Sequence, residues 1–426
     1  VFPRSIYTLV MYLLTPVILF RLARRGLHYR SYLGRWRERF GFFRAPGFEQ
    51  SIWVHAVSVG EVNAAVPLIE ALMRRHADMP FVVTTITPTG SERVQKLFGD
   101  RVFHVYLPYD LPASVRRFLG RVRPRLGVIM ETEIWPNLFA ECQARGVPLV
   151  VANARLSAKS LRGYGPVRPL ARLAIRSARH VAAQSGADAE RLLELGADPS
   201  RLSVLGNIKF DMAVPAELPD LGRALRVEWG PHRPVWIAAS THEGEEVAVL
   251  KAHALVLRRF PDALLLFAPR HPERFKPVAM ACRSFGFATR TRSEDKSAES
   301  ATQVFVVDTL GELLRYYAAA DLAFVGGSLV EIGGHNVLEP AALSVPVVVG
   351  LNTFNFAEIT ASLVAAGGAL QIADGDLLGV EVVRLLGDER RRADMGEAAR
   401  HVFERERGAV ERNLEAIEKV MTEPAA

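Results

Sequence analysis

Apolar positions along this chain fall into short β-branched runs separated by amphipathic, helix-period patterns. The first half offers runs at 52–57, 81–85, 102–107, 126–130, 149–152, 180–183 and 202–205. The second half offers 235–239, 263–268, 303–307, 322–325 and 345–349. Such runs, bounded by turn residues, are what strands of parallel sheets need when both faces are covered. Between the halves, 212–234 carries Pro215, Pro219, Pro231 and Pro234 with scattered charge, and reads as a linker. The pattern predicts an α/β protein of two Rossmann-like domains facing a cleft, at 26–211 and 235–400. Ligands of such sheets bind beyond the C-terminal ends of the strands. A charged helical pattern over 388–420 is placed to tie the domains together, and 401–426 reads as a C-terminal helix and tail.

The start of the chain is different. Ile6–Phe20 is almost wholly apolar, with Arg4 before it and Arg21, Arg24 and Arg25 after it. A simple crossing needs roughly 20 apolar residues, so the run is short for one. A signal peptide would be followed by a small-x-small cleavage site, and none follows. The expectation is an uncleaved membrane anchor over 1–25, either spanning or lying in the interface; a buried helix of the first domain is the plainer reading. The positive-inside rule then puts the body on the cytoplasmic side of the membrane.

With 426 residues and 47.0 kDa the chain is long enough for two domains. Its 49% apolar and 23% charged content excludes a disordered or fibrous class. A net charge of +7 suits nucleic acid, an anionic membrane or a phosphorylated substrate. Arg21, Arg24, Arg25, Arg30, Arg35, Arg37 and Arg39 crowd behind the apolar run, with no zinc-finger or RNA-recognition signature beside them. Membrane and phosphate therefore rank ahead of nucleic acid. Cys142 and Cys282 form no C-x-x-C pair and read as reduced, buried thiols.

The strongest chemical feature is the Gly-rich segment Phe324–Pro340. A strand should end at Val325, followed by Gly-Gly-Ser, a second Gly-Gly pair and a helix starting near Asn336. Glycines admit close approach of a ligand, and a helix start offers unpaired N–H groups to an anion. This predicts a phosphate cradle without a Walker lysine. Asn336 can cap, and Glu339 can take ribose hydroxyls; a tight turn with a dipole-compensating glutamate is the alternative. Arg270, fixed between Pro269 and Pro272 at a strand exit, suits a bidentate phosphate contact, or else a surface ion pair. In the first half, Glu61 sits where a strand hands over to a helix, where the dipole favours an ionised carboxylate. That suits a base, though it also suits plain helix stabilisation. Glu131 and Glu133 close the run 126–130, and point the same way if the strand continues. Lys209 follows the last run of the first half. His242-Glu-Gly-Glu-Glu246 looks metal-like, yet helix capping is the better reading, and no metal is expected.

Taken together, Ser58–Glu61, Met130–Asn137, Gly206–Asp211, Ala268–His271 and Gly333–Pro340 resemble the Kdo (3-deoxy-D-manno-octulosonic acid) transferase family, with the likeness running over essentially the whole chain. The resemblance implies a GT-B fold, CMP-Kdo as donor, a lipid A precursor of lipid IVA type as acceptor, and no metal or other cofactor. It implies Glu61 as base, with Glu131 and Lys209 stabilising the transition state. CMP contacts would fall on Pro269, Arg270, Leu310, Gly311, Glu312, Asn336, Val337, Leu338 and Glu339. Relatives often carry proline at the position of Val337; a backbone contact would survive the difference. The rivals are a sugar-nucleotide 2-epimerase of the same architecture and a non-catalytic, membrane-bound nucleotide-sugar-binding protein.

Overall fold

The computed structural model describes residues 4–28, 30–294 and 297–423. Residues 1–3 of the expected anchor and 424–426 of the expected tail lie outside them. The chain forms two compact units, Val1–Met212 with Arg407–Ala426, and Ala213–Glu406.

The first unit holds β1 (Ser51–His55), β2 (Phe81–Thr85), β3 (Phe103–Tyr106), β4 (Pro124–Met130), β5 (Leu149–Ala154), β6 (His180–Ala183) and β7 (Leu202–Val204). They make one parallel sheet in the order β3-β2-β1-β4-β5-β6-β7. Both faces are covered, which is why β1 and β2 are buried at every residue and read as continuous runs. Trp53, Phe118 and Phe139 anchor the core on one face. Ile52, Val54, Leu68 and Val128 anchor the other, joined by Leu414 and Ile417 from the end of the chain. Gly127 is required beside Trp53, because a Cβ there would meet the indole at 2.8 Å and Leu149 at 2.5 Å.

The second unit holds β8 (Val235–Thr241), β9 (Leu264–Pro269), β10 (Thr289–Thr291), β11 (Val304–Val306), β12 (Leu322–Val325), β13 (Val347–Val349) and β14 (Ala369–Gln371). Its sheet is also parallel, in the order β10-β11-β9-β8-β12-β13-β14. The pattern of apolar runs missed β10 and β14. Both are three-residue edge strands, and Thr-Arg-Thr and Ala-Leu-Gln are too short and too polar to show a run.

Two features of the connection differ from expectation. The stretch read as a linker contains a helix, Leu218–Trp229, whose Leu225 and Trp229 enter the second unit's core. Pro219 sits in the first turn of that helix, where a missing N–H costs nothing. The charged C-terminal pattern is two helices. Glu389–Arg405 belongs to the second unit and Ala409–Thr422 to the first. Asp211 holds the second of these by accepting the backbone N–H groups of Gly408 and Val410 at 2.6 and 2.5 Å.

Strand order reverses between β1 and β4 in one sheet and between β8 and β12 in the other. These are the points where a doubly wound sheet opens a crevice beyond its strand ends. The N-terminal helix, Arg4–His28, contains Pro16, and its Arg4–Leu27 stretch is long and apolar enough to cross a membrane. Most of its large apolar side chains are exposed, so it is not a buried core helix. Two arginines of the basic flank are turned to structural use. Arg39 is 3% exposed, donates to the Ile86 carbonyl and lies over Tyr106. Arg35 bonds Glu38 and the His104 carbonyl.

Candidate active site

In the first unit, the helix Val59–Arg75 starts directly after β1 with Ser58 as its cap residue. Glu61 in its first turn reaches back: the Val57 N–H donates to Oε2 at 2.8 Å and Ser58 Oγ to Oε1 at 3.4 Å. This is the geometry of a capping carboxylate. The dipole argument nevertheless gives the wrong sign for Glu61. Burial pushes it up to about 8, the Val57 bond opposes this, and the neighbouring Glu131 and Glu133 push it further. It is mostly protonated at neutral pH, within reach of a base's working range.

Glu131 and Glu133 come from the end of β4, across the strand-order reversal. The strand stops at Met130, and Glu131 takes the left-handed conformation (φ 56°), so the two carboxylates do not share a strand face. The Glu131 N–H is held by the Ala152 carbonyl at 2.9 Å. Glu133 accepts from Trp135 Nε1 at 3.1 Å, and burial raises its carboxyl, with Glu131 adding to the shift. Tyr164 belongs to the same group: burial and then Glu133 raise its phenol.

Lys209 follows β7, with its N–H on Asn207 Oδ1 at 3.0 Å. Burial lowers its ammonium, while Glu131 and, less strongly, Glu61 favour the charge. The loop is fixed by a chain of amides that sequence reasoning did not single out. Asn207 donates to Gln184, Gln184 to the Asn153 carbonyl, and Asn153 Oδ1 accepts the Ile208 N–H. The structure thus brings Glu61, Glu131, Glu133 and Lys209 together beyond the strand ends of one sheet.

The second unit corrects the phosphate cradle. The backbone N–H groups of Gly327, Ser328 and Leu329 are not free for a ligand. They donate to the carboxylate of Glu245 at 2.7, 3.0 and 2.9 Å, and the His242 N–H joins them at 2.9 Å. Glu245 is fully buried. Gly326 is needed because a Cβ there would meet the Thr241 backbone at 2.7 Å and the Glu245 carboxylate at 2.9 Å. The first Gly-Gly-Ser is therefore an anion site filled by the protein's own side chain. Glu243 and Glu246 both pair with Arg274, which accounts for the other carboxylates of the His-Glu-Gly-Glu-Glu run.

The remaining predicted contacts lie at the same end of the sheet. Pro269 closes β9, and Arg270 beside it is exposed, with no ion pair among the described residues. Leu310 is 68% exposed and Gly311 takes φ 90°, in the loop after β11, the neighbour of β9. Glu312 accepts from Thr309 and Arg292. The helix expected near Asn336 starts at Leu338 and spans five residues, with Val337 before it. Asn336 Oδ1 accepts the Leu338 N–H, and its amide donates to Glu339 Oε1, both at 3.1 Å. Burial raises Glu339, which the Asn336 bond and nearby Arg270 partly offset.

His335 and His242 meet Nε2 to Nε2 at 2.7 Å, and His271 packs edge-on against His242. Burial, then Arg270 and the neighbouring imidazoles, push His335 down to about 3, and burial, then His271, lowers His242. One ring must donate and the other accept. Among the described residues, no three His, Cys, Asp or Glu side chains are grouped to hold a metal ion.

The sequence pattern of the 3-deoxy-D-manno-octulosonic-acid transferase (kdotransferase) family matches residues 34–212. The 3-deoxy-D-manno-octulosonic acid transferase of Haemophilus influenzae is 42% identical over 417 residues, covering 97% of this chain and 98% of that one. The chain belongs to the Kdo transferase family. It is accordingly a glycosyltransferase. A second Kdo transferase, from Bordetella pertussis, is 40% identical over 97% of this chain and 99% of its own. A solved glycosyltransferase from Rickettsia africae covers 88% of this chain and all of its own at a TM-score of 0.57; at 12% identity it shows the shared GT-B-type fold alone. Kdo transferases are thus the frame in which both groups of residues are to be understood.

Proposed function

We propose that the protein transfers Kdo from CMP-Kdo to a lipid A precursor of lipid IVA type, at the cytoplasmic face of the inner membrane. The observation that carries the reading is Glu61, half-buried beside Glu131, Glu133 and Lys209 and raised to about 8. In this scheme Glu61 takes the proton of the acceptor's primary hydroxyl while that oxygen bonds to the anomeric carbon of Kdo. The bond from that carbon to the CMP phosphate oxygen breaks, and CMP departs with the electron pair. Glu131 balances positive charge on the anomeric carbon, and Lys209 restrains the carboxylates around it.

Donor binding falls to Pro269, Arg270, Leu310, Gly311, Glu312 and Asn336–Glu339. Exposed Arg270 meets the phosphate, as a guanidinium does well. The Gly-Gly-Ser amides act at one remove, through the loop that Glu245 holds. The leaving phosphate is already anionic, so an arginine and oriented backbone suffice and the scheme uses no metal or organic cofactor.

The test is transfer by the Glu61→Ala protein, given CMP-Kdo with and without lipid acceptor, alongside CMP binding. Loss of transfer with intact CMP binding supports the scheme. Near-normal turnover removes Glu61 from it. Turnover of UDP-GlcNAc without acceptor would instead favour an epimerase, and CMP binding without transfer by the unaltered protein would favour a silent binder.

A further inference from the structure

The helix Arg4–His28 has two unlike faces. Tyr7, Met11, Thr15, Ile18, Leu22 and Gly26 are its shielded positions, three or four residues apart, so they form one stripe along its whole length. Ile6, Leu9, Leu13, Val17, Phe20 and Leu27 form the opposite stripe and are exposed, Leu13 by 69% and Phe20 by 68%.

The shielded stripe faces the first unit along its length. Near the start, Tyr7 Oη donates to Asp110 Oδ2 at 2.9 Å and Thr8 Oγ1 to Asn137 Oδ1 at 3.0 Å. Asp110 and Asn137 are buried, and Asp110 also accepts the backbone N–H groups of Asn137 and Leu138, so this pin is part of the unit's interior. In the middle, Tyr12, Thr15, Pro16 and Leu19 face Leu111 and Arg117 across a groove of about 430 Å³. Near the end, Leu22 is 8% exposed, and a Cβ at Gly26 would lie 2.3 Å from Leu33 Cγ.

A helix that crosses a bilayer runs through roughly 30 Å of hydrocarbon and must leave its domain to do so. Here the first turns are hydrogen-bonded to the unit's interior, and the last turn packs on Leu33 of the segment that follows it. A crossing would draw Asp110 and Arg117 into the hydrocarbon, where charged groups are strongly disfavoured. The alternative leaves them in water. An apolar stripe flanked by exposed Arg4, Arg21 and Arg25 is what an anionic membrane surface attracts. We propose that this helix is an in-plane anchor: its Ile6–Phe20 face enters one leaflet of an anionic phospholipid bilayer, the Tyr7–Gly26 stripe stays on the first unit, and the chain does not cross. The inference rests on the membrane association proposed above and chooses between the two forms expected of the anchor.

Cys142 and Cys282 are buried, so a surface cysteine can be labelled selectively. The full-length Leu13→Cys protein, carrying a bimane label and shown to bind CMP, is mixed with phosphatidylglycerol–phosphatidylethanolamine vesicles. The lipids carry spin labels either high or low on the acyl chain. In-plane seating puts position 13 about 5–10 Å below the headgroups, so the high label should quench severalfold more than the low one. Stronger quenching by the low label places position 13 at mid-bilayer and overturns the proposal. In spheroplasts, an impermeant maleimide should leave the Ser5→Cys protein unlabelled until lysis; labelling of intact spheroplasts also overturns it. Failure to sediment with the vesicles, with no quenching by either label, defeats the membrane association itself and is distinguishable from both.

Discussion

Beyond β1 and β4 the first unit gathers Glu61, Glu131, Glu133 and Lys209, and burial shifts Glu61, Glu133 and Lys209 away from their charged forms. Beyond β8 and β12 the second unit uses its buried carboxylate, Glu245, to fill a ring of backbone amides, and leaves Arg270 exposed. Both sheets are parallel, with the crevice at the same topological point. What differs is where the cost of burying charge falls. In the first unit it falls on groups that exchange protons, which moves them towards physiological pH. In the second it is offset by four N–H donors, which rigidifies a loop and leaves the exposed cation to meet an anion. One end is suited to proton chemistry and the other to holding phosphate.

The largest effect should come from Glu61→Gln, with transfer falling on the order of 10²- to 10⁴-fold and CMP affinity changed less than twofold. A parallel loss of CMP binding would erase the division between the two ends. The same variant has a second signature. A carboxyl raised above its unfolded value favours the folded state below the unfolded value, and that contribution is lost as pH rises through about 8. Glu61→Gln should therefore melt higher than the parent at pH 9 and little differently at pH 5.

Glu245→Ala should come next. It strands four backbone donors, and a buried unsatisfied group costs about 1–3 kcal/mol. Urea unfolding should show a loss above about 2 kcal/mol even if the loop partly relaxes, and CMP should bind more weakly by over tenfold. An unchanged midpoint would mean that Glu245 does not hold the loop. The smallest effect should be Arg270→Ala, about tenfold weaker CMP binding by titration calorimetry, from losing one charge-assisted contact of about 1.5–3 kcal/mol in part. The pH dependence of transfer should not move in that variant; a moved limb would tie Arg270 to the proton chemistry.

How far the sequence revealed this contrast depends on how local each cause is. Most strands of both sheets were legible because burial makes their apolar runs nearly continuous, while the short, polar edges β10 and β14 escaped. Glu61, Glu131 and Lys209 were legible as candidates because each follows a strand exit. The protonation of Glu61 was not, since it depends first on burial and then on carboxylates some 70 residues away. Glu245 was read as a helix-capping charge because its amide partners come 82 to 84 residues later. The Gly-Gly-Ser turn looked like a vacant anion site for the same reason. The stretch read as a linker because its prolines sit at turns, a helix start and the entry to β8, which sequence composition alone does not distinguish.

The most direct test of the central claim is the pH profile of kcat/KM for transfer from CMP-Kdo, in the parent and in Glu133→Gln. A base raised to about 8 by burial and its neighbours predicts a rate that climbs through about pH 8 in the parent. Removing the Glu133 charge should shift that limb to lower pH. A parent profile flat from pH 6 to 9, or a limb that Glu133→Gln leaves in place, would contradict the account.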